Sequence, residues 1–271
     1  MMVSSGQICD YVQKIKQRGE LISNIYPGVV REDVEYEGIS GEEAVAFFDP
    51  NEYPARRIHF AGLKESAEMI DLLKKMPSST SIHWIEKQEE CSISSLLEAS
   101  EYKRYKCFIR HTTVFKENPY EKPEEGRRKI LFGMYDRDCG EYPEESDAEY
   151  LRGLNLELFD IYADDIFTLD EWKQIIREKR CLIYREDGEI MAVVIWKIEG
   201  KKLYYNFSYN SGPANYLYNM ERRVFEACWN NNIRTMYAWF DTENTKALQR
   251  GESIRKRGMD AVLFDHIFVK Q

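Results

Sequence analysis

The sequence predicts a mixed α/β protein, and three observations carry that reading. The first is a hairpin: Ile190 to Ile198 is apolar and β-branched, Glu199-Gly200 turns the chain, and Lys202 to Tyr209 alternates as a second strand. The second is the order of patterns beyond that hairpin. Asn215 to Trp229 has helical spacing, Arg234 to Phe240 reads as a strand, Asn244 opens a helix that Gly258 closes, and Asp260 to Val269 is a last strand. The third is that a similar order of patterns occurs earlier, between Ala44 and Phe115.

Taken in order, Cys9 to Arg18 is a short amphipathic helix with Tyr11, Val12 and Ile15 on one side. Val34 to Gly41 alternates, Ala44 to Asp49 is a buried strand ended by Pro50-Asn51, and Arg57 to Gly62 is the next strand. Lys64 to Met76 is a helix, Ser81 to Glu86 a strand, Ser92 to Tyr105 a helix and Cys107 to Phe115 a strand. Asn118 to Gly126 is polar with two prolines and reads as a linker. Beyond it come a strand over Lys129 to Tyr135, an acidic loop over Gly140 to Ser146 and a helix over Leu154 to Ala163. Thr168 with Glu171 three residues later forms a capping box, placing Trp172, Ile175 and Ile176 inward. Cys181 to Arg185 is a strand that turns at Asp187-Gly188. These patterns set domain boundaries at 1–118 and 127–271, joined by a linker at 119–126.

With 271 residues the chain can bury one large or two ordinary cores. Its longest uninterrupted apolar run, Ile190 to Trp196, is far too short to cross a bilayer, and Met1 to Tyr11 lacks a signal-peptide core. The expectation is a cytoplasmic protein with no membrane partner. Six cysteines without a Cys-x-x-Cys spacing fit reduced thiols. His59, His83, His111 and His266 share no ligand spacing and read as structural, so no metal is expected. A net charge of −9 argues against nucleic acid as a partner. Arg250, Arg255, Lys256 and Arg257 form a local basic cluster, either a solvated helix face or a phosphate contact. There is no Gly-x-Ser-x-Gly elbow, no phosphate-binding loop ending in Gly-Lys-Ser/Thr and no dinucleotide glycine fingerprint.

The run from Glu189 to Gln271, with Asn244 and Ala247 three residues apart and Gly258-Met259 before a closing strand, resembles the C-terminal half of the GNAT superfamily of acyl-CoA N-acyltransferases. The resemblance covers Arg127 to Gln271 and, more faintly, Met1 to Lys116. It implies two GNAT-like domains, each a mostly antiparallel twisted sheet flanked by helices, with the second as the acyltransferase domain. It further implies acetyl-CoA, or another acyl-CoA, as cosubstrate and a small-molecule or peptide amine as acceptor, in a monomer or homodimer. In such a fold two central strands part, and the next helix N-terminus holds the pyrophosphate. Here that junction carries Ser208, Tyr209, Asn210, Ser211, Gly212 and Asn215, with Asn244 as a second cofactor contact. Asp241 is placed as general base, with Glu243 as the alternative. Tyr209, expected on the same face as Tyr205, would line the acceptor pocket or serve as acid. The rival reading is a non-catalytic GNAT-like binding or scaffold protein. A transferase that takes aminoacyl-tRNA is disfavoured by the acidic charge.

Overall fold

Ala44–Phe48 is apolar at every position, and every position is buried, because helices cover both faces of its sheet. Ala44, Ala46 and Phe48 pack with Met69, Leu72 and Leu73 of one helix. Val45 and Phe47 pack with Ile8 and Ile15 of another. Alternation along a single strand thus supplies both cores. The structure is a computed structural model that describes residues 1–50, 55–64, 66–118, 139–249 and 262–271.

The elements are β1 (Met2–Ser4), α1 (Ser5–Arg18), β2 (Leu21–Ser23), β3 (Glu35–Ser40), β4 (Ala44–Phe48), β5 (Arg56–Leu63), α2 (Ala67–Lys74), β6 (Thr80–Glu86), α3 (Ser94–Ala99) and β7 (Lys103–Val114). After the 3-10 turn Glu145–Asp147 come α4 (Ala148–Leu158), α5 (Leu169–Arg177), β8 (Cys181–Glu186), β9 (Glu189–Glu199), β10 (Lys202–Asn210), α6 (Ala214–Asn230), β11 (Thr235–Asp241) and β12 (Leu263–Lys270). The strands belong to a mixed, mostly antiparallel sheet arrangement flanked by helices.

The first compact unit comprises Met1–Phe108, Phe159–Ile166 and Leu263–Gln271. Its strand order is β1-β3-β4-β5-β6-β12, with β2 on β5. β4 and β5 are antiparallel, while β5 and β6 are parallel over only two rungs, Arg56↔Thr80 and Arg57↔Ser81. Past those rungs the buried Asn24 fills the space. Its Nδ2 donates to Ile58 O at 3.0 Å and His83 O at 3.2 Å, and its Oδ1 accepts from Phe60 N–H at 2.6 Å. The strand beside β6 is β12, antiparallel along its length, so the C-terminal strand completes the first unit rather than the second. His83 is held on both sides there, by Asp265 Oδ2 at 2.8 Å and Tyr162 O at 3.0 Å.

The second unit comprises Ile109–Leu158 and Phe167–Val262. Its strands run β11-β10-β9-β8, and α6 covers one face, with Met220, Val224 and Cys228 against Leu182, Ala192, Val194 and Leu203. Trp172 of α5 covers the other, its ring 6.2 Å from Phe207 and edge-on. α5 begins as its sequence requires: Thr168 Oγ1 accepts from Glu171 N–H, and Glu171 returns the bond. Asp187 and Gly188 turn β8 into β9 with φ of 51° and 87°, the left-handed pair a two-residue hairpin demands.

Several expectations shift. The second unit starts at Ile109 within β7, and the first takes back Phe159–Ile166 and Leu263–Gln271, unlike the contiguous division at 118 and 127. The helix expected to reach Tyr105 stops at Ala99, since Lys103 already begins β7. The helix expected over Leu154 to Ala163 is instead Ala148–Leu158, buried through Ala148, Leu151 and Asn155. The linker at 119–126, the strand over 129–135, the basic residues Arg250, Arg255, Lys256 and Arg257, and Gly258-Met259 lie outside the described residues.

Candidate active site

β10 and β11 start as a parallel pair and then separate. Their rungs run from Lys202↔Thr235 to Tyr205↔Ala238, whereas β10 keeps β9 as a partner to Asn210↔Ala192 and β11 continues to Asp241. Over 208–210, among the described residues, no strand pairs with the β11 side of β10. A strand edge of this kind presents backbone donors and acceptors to whatever occupies the gap.

The separation begins at a bulge. Tyr205 pairs with Trp196 and Phe207 with Ile195, leaving Asn206 opposite no residue of β9. One extra residue reverses the alternation, so Tyr209 does not share a face with Tyr205, contrary to the four-residue spacing. Tyr205 lies on the α6 face, its hydroxyl donating to Glu221 O at 3.0 Å. Tyr209 joins Tyr204 and Phe207 on the α5 face. Tyr237 stacks on Tyr204 there, with ring centroids 4.7 Å apart, and alternation along β11 puts Trp239 and Asp241 on that same side. The two residues assigned to catalysis, Tyr209 and Asp241, thus stand on one face of two diverging strands.

The loop into α6 is more closed than its sequence suggested. Ser211 N–H donates to Met191 O at 2.9 Å and Gly212 N–H to Asn210 Oδ1 at 3.3 Å. Asn210 Nδ2 in turn reaches Gly212 O at 3.1 Å and Pro213 O at 3.2 Å. The amides of Ser211 and Gly212 expected to face phosphate are therefore used inside the protein. The first-turn N–H groups of Ala214 and Asn215 precede any helical carbonyl that could serve them. Asn215 Oδ1 is buried without a hydrogen-bond partner. A Cβ at Gly212 would sit 2.7 Å from the Tyr216 ring, so glycine is required for this close approach. Tyr216 stacks on Tyr184 at 3.8 Å; its hydroxyl is pushed up to about 12, first by the bond to Tyr184 and then by burial and the Glu186 charge.

Asp241 Oδ1 accepts from Glu243 N–H at 2.9 Å, and Asn244 N–H donates to Asp241 O at 3.1 Å. Asn244 Oδ1 accepts from Ala247 N–H at 3.1 Å, so its side chain caps the helical residues 245–249. Burial pushes the thiols of Cys91 and Cys228 up to about 11, and each stays protonated at neutral pH.

The sequence reading missed Arg110. Its guanidinium carbon lies 5.2 Å from the Tyr237 ring centroid and 5.6 Å from that of Trp239, on the face of Tyr209 and Asp241. Burial lowers its pKa from the usual range, opposed by the charges of Tyr237 and Glu199. The available signal was an arginine inside the strand run Cys107 to Phe115. Tyr237 is fixed in turn by donating to the Glu199 carboxylate.

Among the described residues no group of three metal-ligating side chains forms, and no helix is long and apolar enough to cross a membrane. No protein-family model matches the sequence, and no curated protein matches it. Solved structures do. A protein of the GNAT acetyltransferase family from Novosphingobium aromaticivorans superposes with a TM-score of 0.51 at 12% identity, over 86% of this chain and 91% of its own. A conserved Enterococcus faecalis protein of unknown function, ascribed an N-acyltransferase role, gives a TM-score of 0.51 at 10% identity over 100% of this chain and 72% of its own. With its central strands parted and a helix leaving the end of β10, the chain has a GNAT-like fold.

Proposed function

We propose that this protein is an acyl-CoA-dependent N-acyltransferase, acetyl-CoA being the first cosubstrate to test, that acts on a small-molecule or peptide amine. The observation that carries the reading is the end of β10–β11 pairing at Tyr205↔Ala238. The edge at 208–210, with Ser208, Tyr209 and Asn210, takes the amides of the pantetheine arm, and the first-turn N–H groups of Ala214 and Asn215 take the pyrophosphate. Ser211 and Gly212 shape that helix mouth. Asn244 holds the turn behind Asp241.

The amine nitrogen attacks the thioester carbonyl, forming the C–N bond, and the C–S bond breaks as the tetrahedral centre collapses. Asp241 accepts the proton the amine loses, and Tyr209 supplies one to the departing thiolate. No covalent enzyme intermediate is needed, so catalysis rests on orientation of the two substrates.

The two units are diverged copies of one supersecondary pattern. Both contain an antiparallel pair followed by a parallel pair that parts early, β4-β5-β6 in one and β9-β10-β11 in the other. Asn24 fills the gap in the first, which leaves the second to take acyl-CoA.

A non-catalytic scaffold is the second reading, favoured by the internal use of the Ser211 and Gly212 amides. Thermal midpoints with acetyl-CoA at millimolar concentration, together with thiol release on an amine panel, separate the two. Stabilisation with turnover supports the transferase; no stabilisation removes it, and binding without turnover leaves the scaffold.

A further inference from the structure

We infer that Arg110 is the acceptor-recognition residue of this site, binding a carboxylate, so that the amine acceptor is an amino acid or a peptide end carrying a free carboxylate. The inference rests on the transferase reading for the word acceptor; the carboxylate site itself stands on the geometry of Arg110.

A guanidinium lying near aromatic rings still has its edge N–H groups to satisfy, and a carboxylate matches them in two-pronged geometry. Arg110 has no such partner among the described residues. Its Nε is buried without a hydrogen-bond partner, and its two terminal nitrogens are neither buried nor given an acceptor among the described residues. The rings of Tyr237 and Trp239 lie 5.2 Å and 5.6 Å from its guanidinium carbon, and Glu199, the nearby acid, already accepts from Tyr237 and pairs with Lys197 at 3.0 Å. What remains is a planar two-pronged donor on a half-buried side chain, whose matching ligand is a planar two-pronged acceptor.

Its position is specific. Tyr237 is on the rung with Tyr204, one before the last, and Trp239 is the first residue of that face beyond the parting. Arg110 therefore stands at the fork of the two strands, on the face of Tyr209 and Asp241. A carboxylate anchored there brings an amine one or two carbons away toward that pair.

The test measures thermal midpoints of the full chain, and then titration calorimetry with the most stabilising compounds. Ligands are pooled L-amino acids, the corresponding pooled decarboxylated amines, and inorganic phosphate. Wild type should bind the best amino acid roughly tenfold or more tightly than its amine, as one charge-assisted two-pronged contact allows. Arg110→Gln should erase that preference, and Arg110→Lys, which keeps charge but loses the fork, should restore only part of it. Amines binding as well as amino acids, or a preference that survives Arg110→Gln, would overturn the proposal. So would phosphate matching the amino acids in an Arg110-dependent way, since a free phosphate would then be the ligand. Acetyl-CoA is titrated separately. Its failure to bind removes the transferase reading alone, while acetyl-CoA binding without an amino-acid preference removes only this one.

Discussion

Tyr205 and Tyr209, four residues apart on β10, point to opposite faces of the sheet because Asn206 stands opposite no residue of β9. With that residue outside the ladder, Phe207 lies against Trp172 and Tyr209 on the side of Asp241.

Deleting Asn206 should therefore leave the present faces in place. The deletion makes Tyr205↔Trp196 and Phe207↔Ile195 consecutive rungs, so Phe207 keeps its place against Trp172 and Tyr209 stays on the side of Asp241, at a cost of about 1 kcal/mol. Asn206→Ala keeps the extra residue and should cost about as much. Urea unfolding of both variants checks this, and a loss of roughly 3 kcal/mol or more on deletion alone would mean that Phe207 has left Trp172 and that this register does not set the faces.

Asp241→Asn separates chemistry from structure. The amide Oδ1 can still accept from Glu243 N–H, so unfolding free energy should change by less than about 1 kcal/mol. Loss of the proton acceptor should lower kcat/KM by about 10²- to 10⁴-fold while acetyl-CoA binding persists. Steady-state kinetics against thermal midpoint reads the split. Undiminished turnover would transfer the role to Glu243 or to water.

Asn24→Ala should be among the most damaging polar substitutions. It strips the partner from two carbonyls and one amide where β5 and β6 diverge, at a cost of roughly 2–4 kcal/mol. Because Asn24 occupies that gap, calorimetry of the wild type should give one acetyl-CoA per chain. Two per chain would contradict the division of labour between the units.

Acid should weaken the first unit through His59. Burial lowers its pKa in the folded state, despite the Asp49 carboxylate 3.7 Å away and with the Arg57 charge adding to the effect. The folded form therefore resists protonation that the unfolded chain accepts below about pH 6.5, and stability falls as pH drops beneath that value. Replacing His59 with Gln should flatten the slope of unfolding free energy between pH 7 and 5. An unchanged slope would assign the acid sensitivity to other groups.

Where an element's identity lies in side-chain periodicity, the sequence displayed it. The capping box at Thr168, the hairpin at Asp187-Gly188, and the β9, β10, α6, β11 succession could be read within a residue or two. Periodicity failed where a buried position is polar: α4 uses Asn155, whose Oδ1 accepts from Phe167 N–H at 3.0 Å, and the apolar pattern moved the helix six residues downstream. It also cannot show which strand pairs with which, so β12 beside β6 was invisible. At the site, the positions of Asp241 and Tyr209 along the chain were legible, but their common face depends on a bulge with no residue signature. Arg110 depends on a neighbour more than a hundred residues away.

Hydrogen–deuterium exchange with and without saturating acetyl-CoA reads directly whether the parted edge of β10 receives the acyl-CoA arm. Exchange should slow at amides within 208–210, with little change at Val193, Val194 and Ile195, which already sit in the β9 ladder. Exchange at 208–210 that is identical in the two conditions, under saturation proven by calorimetry, would contradict it.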